Sequence, residues 1–392
     1  MKTRFILMPA VALLLASCGA NDRIDITVSN SEYGGSIAQT ASTPAPPLMQ
    51  RLGAQYVYVV DADGTEVPSQ ITADSMLIFS VDIPAGGSAA FSVLPSDTMH
   101  VYAPVATGRL YPERADDLAW ENDVAGFRAY GPATQRKGER AFGYDIFFKH
   151  HSDEPMLPVL YRDETDPAVW ARVDSLRAID PRLVDEYIDS FSYHIDHGLG
   201  MDCYAVGPTL GDGVAAFVDG DTIYYAWCYD TAEVIDNGPV RFTARLDFAP
   251  RAVKGDSAVV EHRIISLDKG MHLNRQKTWF EGRSDTLLIG AGMPMRDGCE
   301  VLTGEDYTVV TDLTQGPDNG KALLGVLMPY GKSGFTSDGH SIVVKFLAPA
   351  DTLEHWWGFA WDRQTIQSPD RWAGYMEEAS KAAYHPVEVI VK

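Results

Sequence analysis

Arg241-Phe242-Thr243-Ala244-Arg245-Leu246-Asp247-Phe248 alternates polar and apolar side chains without a break. A period of two is the mark of an antiparallel strand with one face in water and one in a core. Similar segments recur at Thr222–Tyr229, Val259–Ile265, Asp285–Ile289, Tyr307–Val310 and Ile342–Leu347, separated by Gly, Asp and Asn turns. Strands at this density predict stacked antiparallel sheets. The fold class expected is mainly β: an antiparallel β-sandwich with a few short helices, preceded by a small N-terminal β domain.

The chain divides into three parts. Residues 1–18 read as a lipoprotein leader, with Lys2 and Arg4 before an apolar run and Leu15-Ala16-Ser17-Cys18 as a lipobox. Cys18 is the expected lipidation site, and the run is too short to span a bilayer. Residues 19–100 alternate as strands around a proline-stiffened loop, Ser42 to Pro47, and form the small β domain. Residues 101–392 form the large β domain. Within it, Asp166-Pro167 and Asp180-Pro181 each set an N-cap before proline, predicting two short helices. Ser368-Pro369-Asp370 caps a late helix, and Val387 to Val391 is a closing strand. The expected location is the bacterial cell envelope, lipid-anchored, in the periplasm or on the outer-membrane surface.

A formal charge of −22 over 392 residues repels nucleic acid and anionic membrane. The membrane is therefore a partner only through the lipid anchor. Besides Cys18 there are Cys203, Cys228 and Cys299, with no C-x-x-C spacing, so buried free thiols are expected. Serine-hydrolase, phosphate-loop and dinucleotide motifs are missing from the sequence.

Three stretches carry chemistry. Tyr193 to Gly211 places His194, His197, Asp196, Asp202, Tyr193 and Tyr204 on a glycine-bent backbone. Either imidazole, oriented by an aspartate, suits a general base. No cofactor is implied. A divalent metal on His194, His197 and Asp202 is an alternative use of the loop, without a further ligand at recognisable spacing. Trp120 to Tyr130, read as one strand, sets Asn122, Arg128 and Tyr130 on one face and Glu121 on the other. A guanidinium there suits a uronate carboxylate, with Arg136 and Arg140 adding charge nearby. His355 to Asp362 is dense in indoles, and alternation separates Trp357 and Trp361 from Trp356. Trp357 and Trp361 are expected to floor a glycan cleft.

Trp120-Glu121-Asn122-Asp123, Phe127-Arg128-Ala129-Tyr130-Gly131-Pro132, Lys137-Gly138 and His197-Gly198-Leu199-Gly200-Met201-Asp202-Cys203-Tyr204 together resemble domain-of-unknown-function family 4861, secreted or lipid-anchored proteins mostly from Bacteroidetes. The resemblance covers most of residues 22–392. It implies a setting in plant cell-wall glycan utilisation, pectin-like uronates especially, and the sheets are similar to the galactose-mutarotase-like supersandwich.

The function expected is therefore action on an acidic, uronate- or rhamnose-containing oligosaccharide. In a β-elimination, Arg128 and Asn122 neutralise the uronate, His197 or His194 takes the proton, and Tyr193 or Tyr204 protonates the leaving oxygen. In a hydrolysis, Glu121 and Asp202 are the acid and base. The competing readings are a non-catalytic glycan-binding lipoprotein and a sugar epimerase or mutarotase.

Overall fold

In the computed structural model, which describes residues 22–316 and 318–392, the alternating segment is the strand Arg241–Asp247 of a nine-stranded antiparallel sheet. Its Phe242, Ala244 and Leu246 are buried, while Arg241, Arg245 and Asp247 face outward. The apolar face packs against two five-stranded antiparallel sheets. One is built around Asp117–Glu121, Ala125–Ala129 and Asp145–Lys149, the other around Ala215–Asp219, Leu287–Pro294 and His340–Leu347. A single core joins all three, with Trp120, Phe127, Phe217, Phe242, Leu324 and Trp357 among its members. The architecture is thus mainly β and antiparallel, as the alternation requires. Cys18 lies outside the described residues.

The N-terminal strand Ile24–Ser29 belongs to a further five-stranded sheet, facing a three-stranded one across a core of its own. The chain's last strand, Glu388–Val391, returns to pair antiparallel with Ile24–Ser29, so both ends of the described chain meet in one sheet. The proline-rich segment is not a loop. Ser42 to Pro44 end the strand Gln39–Pro44, while Pro46 and Pro47 occupy the first turn of helix α1 (Ala45–Leu52), where a missing N–H costs nothing, and Leu48 and Leu52 turn inward.

Four helices separate or follow the strands that carry the candidate residues. They are α2 (Pro132–Arg136), α3 (Leu157–Thr165), α4 (Pro167–Arg177) and α5 (Pro181–Asp189). Asp166 caps α4 through the Ala168 N–H, and Asp180 caps α5 through that of Arg182. These two helices bury Val173, Leu176 and Val184 in a small core of their own. The late helix α6 (Pro369–Tyr384), capped by Ser368, lays Trp372, Met376 and Ala379 against the outer face of the nine-stranded sheet.

Trp120 to Tyr130 is a hairpin rather than one strand. Asn122 makes the turn: its Oδ1 accepts from the N–H groups of Val124 and Ala125 at 2.9 and 3.0 Å. Folding the segment back puts Glu121 on the same sheet face as Arg128, because Glu121 pairs with Gly126 and Arg128 with Ala119.

Candidate functional site

The face of the Asp117–Lys149 sheet turned away from the main core is unusually charged. Alternation along Asp145-Ile146-Phe147-Phe148-Lys149 sends Asp145, Phe147 and Lys149 to that face and Ile146 and Phe148 to the core. From the neighbouring strands come Asp117, Glu121 and Arg128. Helix α3 and Tyr193 cover the middle, through Met156, Leu157, Leu160 and Tyr161. Charges under such a roof must be paired or protonated.

At one end, Arg128 is only 3% exposed and meets three carboxylates. Its Nε and Nη2 donate to Asp145 Oδ2, with Nε at 3.1 Å, and Nη2 also donates to Asp202 Oδ2 at 2.9 Å. Nη1 stands 3.8 Å from Asp117 Oδ2. Tyr130 donates its hydroxyl to Asp145 at 2.7 Å, and the guanidinium lies over the rings of Tyr130 and Phe147. Arg114 closes the outer side, 3.9 Å from Asp117 and donating to the Tyr193 hydroxyl at 3.2 Å. Arg114 and Tyr130 are the half-buried members that reach toward solvent.

One guanidinium cannot balance three buried carboxylates, so protons stay bound. Burial pushes the Asp202 carboxyl up to about 7, reinforced by the charge of Asp145 and opposed by Arg128. Burial likewise raises Asp117 to about 6. Burial alone would lower Arg128, but the carboxylates, Asp145 foremost, hold it well above the usual arginine range. Among the described residues, Asp202 Oδ1 and Asp117 Oδ1 have no hydrogen-bond partner. The cluster can therefore give and take a proton near neutral pH.

At the other end of the face, Glu121 is structural. Its two oxygens accept from Lys149 Nζ at 2.7 Å and from the N–H groups of Met156 and Leu157 at 2.8 Å, capping α3 from a distance. It stands apart from Asp202; the carboxyl groups beside Asp202 on Arg128 are those of Asp145 and Asp117. Asn122 is no substrate ligand either, since its amide N–H₂ is spent on the carbonyls of Asp268 and Met271.

The remaining candidates divide by exposure. His197 is exposed and bonds to no described residue, whereas His194 is exposed with Nδ1 donating to the Asp202 carbonyl at 2.7 Å. Tyr193 and Tyr204 are buried, and Arg296 lies over the Tyr204 ring. Arg136 is exposed and paired with Asp116 at 2.9 Å, and Arg140 is exposed. No three His, Cys, Asp or Glu side chains gather as a metal-binding group among the described residues. The His194, His197 and Asp202 side chains do not converge: Asp202 is buried on Arg128, while both imidazoles are exposed.

Trp357 and Trp361 do not floor a cleft. Both are about 1% exposed or less. Trp357 stacks on Tyr144 at 4.2 Å and donates to Gln276, and Trp361 donates to the Asn319 carbonyl. Alternation separated the indoles correctly, but the face expected to meet ligand is the core, and Trp356 is the one left outside. Asp117, Asp145 and Tyr161 were overlooked. The signal for Asp145 was present: a carboxylate inside an otherwise apolar strand requires a partner.

Uncharacterized protein P7 of Formosa agariphila is 25% identical over 338 residues, covering 82% of this chain and 79% of that protein. Among solved structures, an α-mannosidase from Enterococcus faecalis V583 superposes with a TM-score of 0.50 at 8% identity, over 95% of this chain and 46% of that one. A glycosyl hydrolase family 38 protein from Enterococcus faecalis gives 0.49 at 9% identity, over 95% and 48%. The chain thus spans just under half the length of these two structures, and the likeness to the α-mannosidase is one of fold. The match that decides kinship runs over residues 40–389, and by it the chain belongs to the family described as Domain of unknown function (DUF4861).

Proposed function

We propose that the protein acts on carbohydrate, an acidic oligosaccharide of the pectin kind, by glycoside hydrolysis at the Asp117–Asp145–Asp202 centre. The observation that carries this reading is the gathering of three buried carboxylates on Arg128, two members of which, Arg128 and Asp202, lie in the stretches through which the sequence resembles its family. Hydrolysis needs one carboxyl group that is protonated and one that is not. Asp202, raised to about 7 by burial, serves as the acid. Asp145, held by Arg128 and Tyr130, serves as the carboxylate. Elimination is the weaker route, because the guanidinium meant to neutralise a uronate is already neutralised. Substrate entry requires the roof of α3 and Tyr193 to lift. Exposed Lys137 and Arg140 near α2 supply positive charge for an anionic sugar. The α-mannosidase from Enterococcus faecalis shares the fold, which keeps glycan chemistry within its range. The leader ending at Cys18 supports a lipid-anchored place at the cell envelope.

The test is incubation with oligogalacturonides and rhamnose-containing pectic oligosaccharides. New reducing ends without the ultraviolet absorbance of an unsaturated uronate are expected, and Asp202→Asn and Asp145→Asn should each abolish them. Absorbance growing with the reducing ends would mean elimination instead. Turnover by Asp202→Asn equal to the parent's would end the proposal. Glycan binding without turnover is the second reading, favoured by the burial of Arg128 and Asp202, and would appear as affinity with no fragments formed.

A further inference from the structure

The outer face of the nine-stranded sheet, on the far side of the main core from Arg128, is only partly covered. Helix α6 takes one end, and the N-terminal strands stand over the flank. Between them run two adjoining cavities of about 230 and 410 Å³ that share Arg241, Ser266 and Arg275 in their linings. They form one groove across the strands Arg241–Asp247, Asp256–Asp268, Leu273–Glu281 and Leu353–Trp361. Cross-strand register fixes its floor: Thr243 opposite Ser266, Ser266 opposite Arg275, and Arg275 opposite Trp356.

The floor differs from ordinary surface in two ways. Its arginines are locked in pairs: Arg241 grips Asp268 through two bonds of 2.6 and 2.7 Å, and Arg275 grips Glu354. Each pair leaves acceptor lone pairs and N–H groups side by side along the groove. Two half-buried indoles also stand on this same face. Trp356 lines the groove under Arg275, whose guanidinium is 5.7 Å from its ring. Trp279 lies four residues along the strand from Arg275, roughly 13 Å away at the rise of an extended chain. Exposed Lys277 stands between Arg275 and Trp279 and has no ion-pair partner among the described residues.

We propose that this groove is a second carbohydrate-binding site, which holds a neutral oligosaccharide along the line from Trp356 toward Trp279. Indole faces take the C–H faces of pyranose rings, and the paired arginines and carboxylates bond to ring hydroxyls from both sides. Charge selects the neutral sugar. Asp74, Asp236, Asp268 and Glu354 offset Arg241, Arg275 and Lys277 in the groove, so a polyanion finds no net positive field. A hydroxyl ligand can donate to the carboxylates and accept from the guanidinium groups without breaking either pair. The site lies on a different sheet from the carboxylate centre and does not depend on hydrolysis there.

The experiment is isothermal titration of the full chain with hexasaccharides of mannose, galactose and xylose, and with oligogalacturonate of the same length. At least one neutral hexasaccharide should bind, more tightly than the uronate. Ser266→Trp, which fills the groove without removing a core contact, and Trp356→Ala should each weaken that binding about tenfold or more, equivalent to ~1.4 kcal/mol. Asp202→Asn should bind the same sugar as the parent does. Failure of every neutral sugar to bind, preference for the uronate, or equal binding by Ser266→Trp would overturn the inference. Loss of binding in Asp202→Asn would also overturn it, by moving recognition to the carboxylate centre.

Discussion

Arg128 offers the same nitrogen, Nη2, to Asp202 that it offers to Asp145. Two like charges are thereby held side by side beneath a protein roof, with a third carboxylate, Asp117, near the other nitrogen. Such an arrangement persists only while the guanidinium is present and part of the proton inventory is retained.

Arg128→Ala should therefore destabilise the chain on the order of 3–5 kcal/mol, since it leaves three buried carboxyl groups without their cation. Arg128→Lys should recover only part of the loss, because an ammonium lacks the planar fork that meets Asp145 and Asp202 together. Urea unfolding measures both. Parent-like stability in Arg128→Ala would mean the cluster is solvated and the burial argument is wrong.

The pH dependence follows from the sign of the shifts. Asp202 titrates near 7 when folded, against about 3.9 in an unfolded chain, so the native state binds the proton more tightly. Its contribution to stability is complete below about pH 4 and is lost as pH rises through 7. Asp117 acts in the same direction up to about 6. Between pH 4 and 8 the parent should lose stability relative to Asp202→Asn, whose amide has no proton to release. Urea midpoints of the two proteins at four or five pH values check this, and a difference constant with pH would contradict it.

Strand periodicity made the sheets legible, because an unbroken alternation such as 241–248 permits little else. The helix caps at Asp166, Asp180 and Ser368 were legible for the same kind of reason: each is a local device whose chemistry is complete within a few residues. The hairpin at Asn122 was not, since a turn and a continued strand differ there only in what the Asn122 side chain bonds to. Partners at the site were harder still. Glu121 looked like a catalytic acid because nothing in Trp120-Glu121-Asn122 announces that helix α3 begins against it, 35 residues on. Which face of the indole-rich strand is core was equally hidden, as alternation sorts faces but does not label them.

The capping role of Glu121 gives a third expectation. Glu121→Ala removes the acceptor for two N–H groups at the start of α3 and leaves the Lys149 ammonium buried with only the Asn122 carbonyl. A loss of about 3–5 kcal/mol is expected, together with faster amide exchange in Leu157–Thr165. Glu121→Gln should be milder, as one oxygen still accepts. A Glu121→Gln protein as stable as the parent yet inactive on pectic oligosaccharides would return Glu121 to a catalytic role.

Exposure separates the histidines. His197→Ala removes a side chain that bonds to no described residue, so stability should change by less than about 0.5 kcal/mol, the ordinary range for open surface positions. Turnover of pectic oligosaccharides, once measured, should also be unchanged. His194→Ala removes the Nδ1–H donor to the Asp202 carbonyl and should cost about 1 kcal/mol. A His197→Ala protein that folds normally but no longer cleaves would restore the imidazole as the working base.

Trp357 is the sharpest discriminator between core and cleft. It is fully buried, stacked on Tyr144 at 4.2 Å and edge-on to Phe127 at 5.4 Å, with its indole N–H on Gln276. Gly213 presses against it so closely that a β-carbon there would sit 2.2 Å from the Trp357 Cβ. Trp357→Ala should therefore cost about 3–5 kcal/mol, the range for emptying an aromatic site in a packed core, and Gly213→Ala should be strongly destabilising by the same contact. Trp356→Ala, on the outer side of the same strand, should cost markedly less. Thermal unfolding of the three variants decides the matter: the ordering predicted places Trp356→Ala nearest the parent, and the reverse ordering would put the glycan face on the side of Trp357.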